Sequence, residues 1–121
     1  MKKSPADKEP GLIIIWEFRV RRGKQREFEK VYGPDGEWAE FFSAGKGYLG
    51  TELICDQEVP LRYATLDFWT SQAAYELFKK KHRAKYRQID KRCESLTQQE
   101  TLVGYFRRVG TPGLGAPRRS V

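Results

Sequence analysis

A single histidine, His82, stands in a chain of 121 residues that also carries three tryptophans, six tyrosines and seven phenylalanines. Histidine is the side chain whose unperturbed pKa lies nearest neutrality, so His82 is the candidate general base of a pocket. Its sequence neighbours, Lys81 and Arg83, supply no hydroxyl or thiol to activate, which argues against nucleophilic hydrolysis. Neither a phosphate-binding loop, a strand-to-helix GxGxxG, a GxSxG nor a cluster with metal-ligand spacing occurs, and no cofactor or metal is expected. The aromatic residues then define the chemistry. Trp38 and Trp69 are candidates to stack on a planar ring, Tyr63 or Tyr75 to hydrogen-bond a substrate oxygen, and Phe41, Phe42 and Phe78 to complete an apolar wall. Each also has a plain reading as core packing, and His82 as a solvated residue at a helix margin.

These residues need elements to position them. Leu12 to Arg21 opens as a β-branched run and becomes an alternation with Trp16, Phe18 and Val20 on one face, which predicts a strand. Lys24 to Tyr32 follows with Phe28, Val31 and Tyr32 at helical spacing. Gly33-Pro-Asp-Gly36 then interrupts the pattern, and Trp38, Phe41 and Phe42 resume it in a second short helix that Pro34 or Asp35 starts. That break angles three aromatic rings across the mouth of a cavity, or else simply bends the crossover around a twisted sheet. Tyr48 to Cys55 alternates as a second strand, with Leu49, Thr51, Leu53 and Cys55 opposite Tyr48, Gly50, Glu52 and Ile54. Arg62 to Trp69 alternates as a third, with Tyr63, Thr65, Asp67 and Trp69 on one face. Thr70 or Ser71 caps a long helix whose stripe Tyr75, Phe78, His82, Tyr86, Ile89 and Cys93 steps by three or four. Thr101 to Val109 closes the series as a fourth strand. The order βαββαβ predicts an α+β, ferredoxin-like fold: a four-stranded antiparallel sheet with helices on one face and the other face awaiting a partner.

The length fits one domain over residues 12–109, with residues 1–11 and 110–121 reading as flexible polar and Gly/Pro-rich tails. Cys55 and Cys93 lie 38 positions apart with no CxxC pattern, as in a reduced cytoplasmic protein. The longest apolar run, Leu12 to Trp16, is far short of the ~18 residues of a membrane span, and a polar stretch follows the basic Met-Lys-Lys where an export signal needs an apolar core. Net charge is +7, with 13 basic and 5 acidic side chains in residues 61–121 against 10 and 11 in residues 1–60. Much of the excess lies in Lys79-Lys-Lys-His-Arg-Ala-Lys-Tyr-Arg87, read first as a solvated helix face. RNA binding there is the minor alternative, since no strand shows basic residues interleaved with stacking aromatics.

Five segments together resemble the antibiotic biosynthesis monooxygenase family over about residues 12 to 108: Ile14-Ile-Trp-Glu-Phe-Arg-Val20, Tyr32-Gly-Pro-Asp-Gly-Glu-Trp-Ala-Glu-Phe-Phe42, Gly47-Tyr-Leu-Gly-Thr-Glu-Leu53, Arg62-Tyr-Ala-Thr-Leu-Asp-Phe-Trp69 and Ser71-Gln-Ala-Ala-Tyr-Glu-Leu-Phe78. The resemblance implies a dimeric α+β barrel, in which two sheets pack face to face and each subunit keeps a cavity between helices and sheet. It also implies cofactor-independent oxidation of polycyclic phenols to quinones, or haem degradation, each typically with an active-site asparagine beside a tryptophan. The chain contains no asparagine, which argues against haem degradation more strongly than against oxygenation. The expected function is a cofactor-independent monooxygenase acting as a homodimer on an aromatic or polyketide-like molecule. The alternative is a non-catalytic dimeric domain that binds a small apolar ligand.

Overall fold

In a computed structural model of the chain, which describes residues 10–110, the elements follow the expected order with the long second-crossover helix divided. They are β1 (Leu12–Val20), α1 (Gln25–Tyr32), α2 (Glu37–Phe42), β2 (Tyr48–Cys55), β3 (Arg62–Trp69), α3 (Gln72–Lys81), α4 (Arg83–Cys93), a 3-10 turn (Glu94–Leu96) and β4 (Thr97–Phe106). The sheet is antiparallel throughout, in the order β2-β3-β1-β4. This is the ferredoxin-like α+β arrangement. The tails expected at 1–11 and 110–121 lie almost wholly outside the described residues.

The alternation in β1 and β3 translates directly into burial. Leu12, Ile14, Phe18 and Val20 from β1 are buried in one continuous core, in which Phe18 and Tyr63 of β3 meet Phe28 of α1 and Trp69 of β3 meets Tyr75 and Phe78 of α3. Trp69 is fully buried at its centre, its indole against Phe42, Tyr48, Tyr75 and Phe78 with ring centroids 5.4–5.7 Å apart.

Three details differ from the sequence expectation. The long helix is divided at His82, whose φ of −117° and ψ of 30° end α3 and begin α4. Neither glycine nor proline marks the break, and the apolar stripe keeps its phase across a single non-helical residue, so Tyr75, Phe78, Ile89 and Cys93 still face inward. β4 begins at Thr97 rather than Thr101 and ends at Phe106, because the chain turns directly from the 3-10 segment into pairing with Val20. In β2, the pairs Tyr48↔Trp69 and Gly50↔Phe68 leave Leu49 as an extra residue, with Gly50 at φ 138°. That bulge reverses the alternation at one point, so Tyr48 lies on the same side as Thr51 and not opposite to it.

The Gly33 to Gly36 interruption does divide the first crossover, but Gly36 caps α2 and Glu37 begins it, rather than Pro34 or Asp35. A β-carbon on Gly36 would lie 2.3 Å from the Val31 carbonyl oxygen and 2.5 Å from that of Lys30. Glycine is therefore required by close approach of the backbone to the end of α1. Gly36→Ala is expected to cost about 1–3 kcal/mol, as overpacking does, read as a fall in denaturation midpoint with the slope unchanged. At the other crossover Ser71 supplies the cap, its hydroxyl accepting from the Ala74 N–H at 3.0 Å.

Candidate functional site

Between the helices and the inner face of the sheet lies a cavity of about 50 Å³. Its walls are aromatic: Trp16 and Phe18 from β1, Tyr32 from α1, Trp38 and Phe42 from α2, and Tyr86 from α4. The rings brace one another. Trp38 lies edge-on to Tyr86 at 5.1 Å and tilted against Phe42 at 5.7 Å, while Phe18 meets Tyr32 at 4.9 Å. Thr51, Thr65 and Asp67 form the floor, contributed by adjacent strands β2 and β3 whose register sets Thr51 opposite Asp67. Asp90 and Glu100, both exposed, mark where the cavity meets solvent.

Asp67 is the chemically distinctive group. It is only 7% exposed, and burial raises its carboxyl to about 6, opposed by a hydrogen bond in which the Thr51 hydroxyl donates to Oδ1 at 2.7 Å. Tyr48 reaches the same threonine through a 2.6 Å hydroxyl pair. Since the Thr51 proton goes to Asp67, Tyr48 donates to Thr51, and a chain of hydroxyls ends on the carboxylate. Burial holds the Tyr48 and Tyr86 phenols up at about 12, and that of Tyr32 higher still. These tyrosines are hydrogen-bond donors rather than bases at neutral pH. Asp67, with a value near 6, is the lining group poised to exchange a proton there.

The residues singled out in the sequence divide into two sets. Trp38 and Phe42 line the cavity. Phe41 backs them, at 6.1 Å and 5.6 Å, and contacts Phe78 at 5.0 Å. Trp69, Tyr75 and Phe78 pack together in the core beyond the cavity wall. Tyr63 donates its hydroxyl to Glu29 at 2.5 Å, toward α1. His82 is half-buried at the α3–α4 junction, its ring 4.5 Å from that of Phe78 and outside the cavity lining. Sequence reasoning passed over Asp67 as a functional group although its inward place in the β3 alternation was legible, since a carboxylate on the core side of a strand must be explained. Thr51 had its place in the β2 alternation and was not singled out, whereas the bulge concealed that Tyr48 shares its side. Trp16, Tyr32, Asp90 and Glu100 reach the cavity only through the packing of distant elements.

Fold and cavity together define a ferredoxin-like α+β domain with an aromatic-walled pocket between sheet and helices. The family model for antibiotic biosynthesis monooxygenases matches residues 11–88, and the chain belongs to that family. Among solved structures it is similar to SnoaB, a cofactor-independent oxygenase from Streptomyces nogalater, at 20% identity and a TM-score of 0.65, covering 83% of this chain and 94% of that one. It is also similar to the haem degrader MhuD from Mycobacterium tuberculosis, solved with two haems in its active site, at 22% identity and a TM-score of 0.59, covering 84% and 99%. No curated protein matches the chain. These likenesses carry the fold.

Haem does not fit the residues present. The chain's one histidine, the residue that would be needed to ligate its iron, lies tilted against Phe78 and is not among the cavity-lining residues. Among the described residues, no helix is long and apolar enough to cross a membrane.

Proposed function

We propose that the protein is a monooxygenase of the antibiotic biosynthesis monooxygenase type that oxidises a phenolic, aromatic or polyketide-like small molecule without a cofactor. The observation that carries this reading is the Asp67 carboxylate at the floor of an aromatic cavity, its proton affinity set near 6 by burial. Above that pH Asp67 is ionised and accepts the phenolic proton, with Thr51 holding its other oxygen. The phenolate passes an electron to dioxygen, a carbon–oxygen bond forms at the ring, and loss of water leaves the quinone. Phenol and one dioxygen thus become quinone and one water. A cavity of about 50 Å³ accepts the hydroxyl-bearing edge of a ring, while the remainder lies across the mouth against Trp38 and Tyr86. His82, the base expected from sequence, yields that role to Asp67 in this reading, and Trp69 acts by supporting the wall.

A homodimer belongs to the same proposal. The sheet face turned away from the helices exposes Ile54, Val103 and Phe106, an apolar surface that a second copy would cover. Free Cys55 and Cys93 support a reducing, cytoplasmic setting.

The test is oxygen uptake with a polycyclic phenol, alongside quinone absorbance. One quinone formed per dioxygen consumed, with His82→Ala retaining most of the rate, is the expected result. Binding without uptake would sink the enzymatic reading and leave the non-catalytic ligand-binding domain.

A further inference from the structure

The chain carries 23 lysines and arginines against 16 aspartates and glutamates, yet its cavity reverses that balance. Asp67, Asp90 and Glu100 all line it, and among the described residues no lysine, arginine or histidine does. The three carboxylates come from β3, α4 and β4, so the tertiary fold gathers them. Asp67 is nine-tenths buried, and only its Oδ1 is engaged by a hydrogen-bond donor. At the mouth, desolvation raises the Asp90 and Glu100 carboxyls, with Glu94 adding to the first and Asp90 to the second. The Tyr32 hydroxyl donates to Glu100 at 3.2 Å, which answers part of that charge.

Like charges crowded around an apolar pocket oppose folding, and a cation held among them removes the opposition. The walls suit one as well. Tyr32, Trp38 and Tyr86 bring electron-rich rings to the cavity, and Tyr86 already carries an ammonium on its ring, with Lys79 Nζ 4.9 Å from the centroid. Lys79 partly offsets the upward shift of Asp90 but leaves Asp67 and Glu100 without a basic partner among the described residues. Resting on the function proposed above, we infer that the substrate is an aromatic molecule bearing a protonated amine. Its phenolic edge points to Asp67 and its ammonium sits at the mouth between Asp90 and Glu100.

The experiment compares two probes of nearly equal shape, tyramine and its uncharged alcohol analogue tyrosol, titrated calorimetrically into the full chain near neutral pH. Tyramine is expected to bind about tenfold more tightly, the worth of one partly desolvated cation–π and ion-pair contact. In the Asp90→Asn, Glu100→Gln double variant that preference should vanish, so that the two probes bind with equal affinity. Equal affinities in the unaltered protein, or a preference that survives in the double variant, overturn the inference and leave the phenol site standing. Failure of both probes to bind overturns the phenol site itself, and the inference with it.

Discussion

Asp67→Asn is expected to slow the proposed quinone formation by about 10²- to 10⁴-fold and at the same time to make the protein more stable at pH 8. Both effects have one cause. Burial raises the Asp67 carboxyl from 3.8 to about 6, so the folded state prefers the protonated form. The stabilising contribution of that proton is complete below the unfolded value near 3.8 and is lost as pH rises through about 6. Above this window the native protein bears the whole cost of an ionised carboxylate on its core side. Asparagine keeps the shape and can accept the Thr51 hydroxyl proton through its carbonyl, yet never ionises. The variant should therefore gain about 2–3 kcal/mol on the wild type between roughly pH 4 and pH 7, with a flat difference beyond. Denaturant titrations at a series of pH values read this directly. A wild type that gains on Asp67→Asn as pH rises would show that the carboxylate is stabilised in the fold and would remove it as the poised base. The same group predicts that kcat/KM of the wild type climbs with pH to a plateau above about 6.

Trp69→Ala produces the largest loss of stability expected in this chain, about 3–5 kcal/mol, because it empties the place where four aromatic rings converge. The surroundings cannot collapse into the gap. Gly45 and Gly47 lie so close that a β-carbon on Gly45 would stand 2.9 Å from the Trp69 ring, and the backbone there is already held by Thr70 N–H donating to the Gly47 carbonyl at 2.7 Å. Trp69→Phe should cost clearly less than Trp69→Ala. It retains an aromatic ring against Phe42 and Phe78, and it removes an indole N–H that is buried without a hydrogen-bond partner among the described residues. Thermal or urea unfolding of the two variants separates these costs. A similar loss in both would show that indole shape, not ring burial, holds the centre. Catalysis offers an independent check, since Trp69 lies behind the wall and its Phe variant should keep substrate affinity.

The order of elements, the inward faces of β1 and β3, the division at Gly33 to Gly36 and the family were all legible before any folding, because period-two and period-3.6 patterns and glycine breaks are local signals. Trp38 and Phe42, which follow that break, are among the residues that line the cavity. What the sequence did not contain was the choice between His82 and Asp67. His82 shares the helical stripe with buried residues, yet the chain leaves the helix at that residue and its ring turns onto Phe78. Asp67 acquires its character only when helices cover the floor of β3 and remove water from it; Thr51 meets it through the β2–β3 register, and a one-residue bulge at Leu49 turns Tyr48 to the same side to complete the hydroxyl chain. Tertiary structure alone brings Asp90 and Glu100 to the same opening, from an exposed helix turn and an edge strand separated by the 3-10 segment. Proton affinity and charge selectivity depend on burial and on neighbours distant in sequence, and periodicity reports neither.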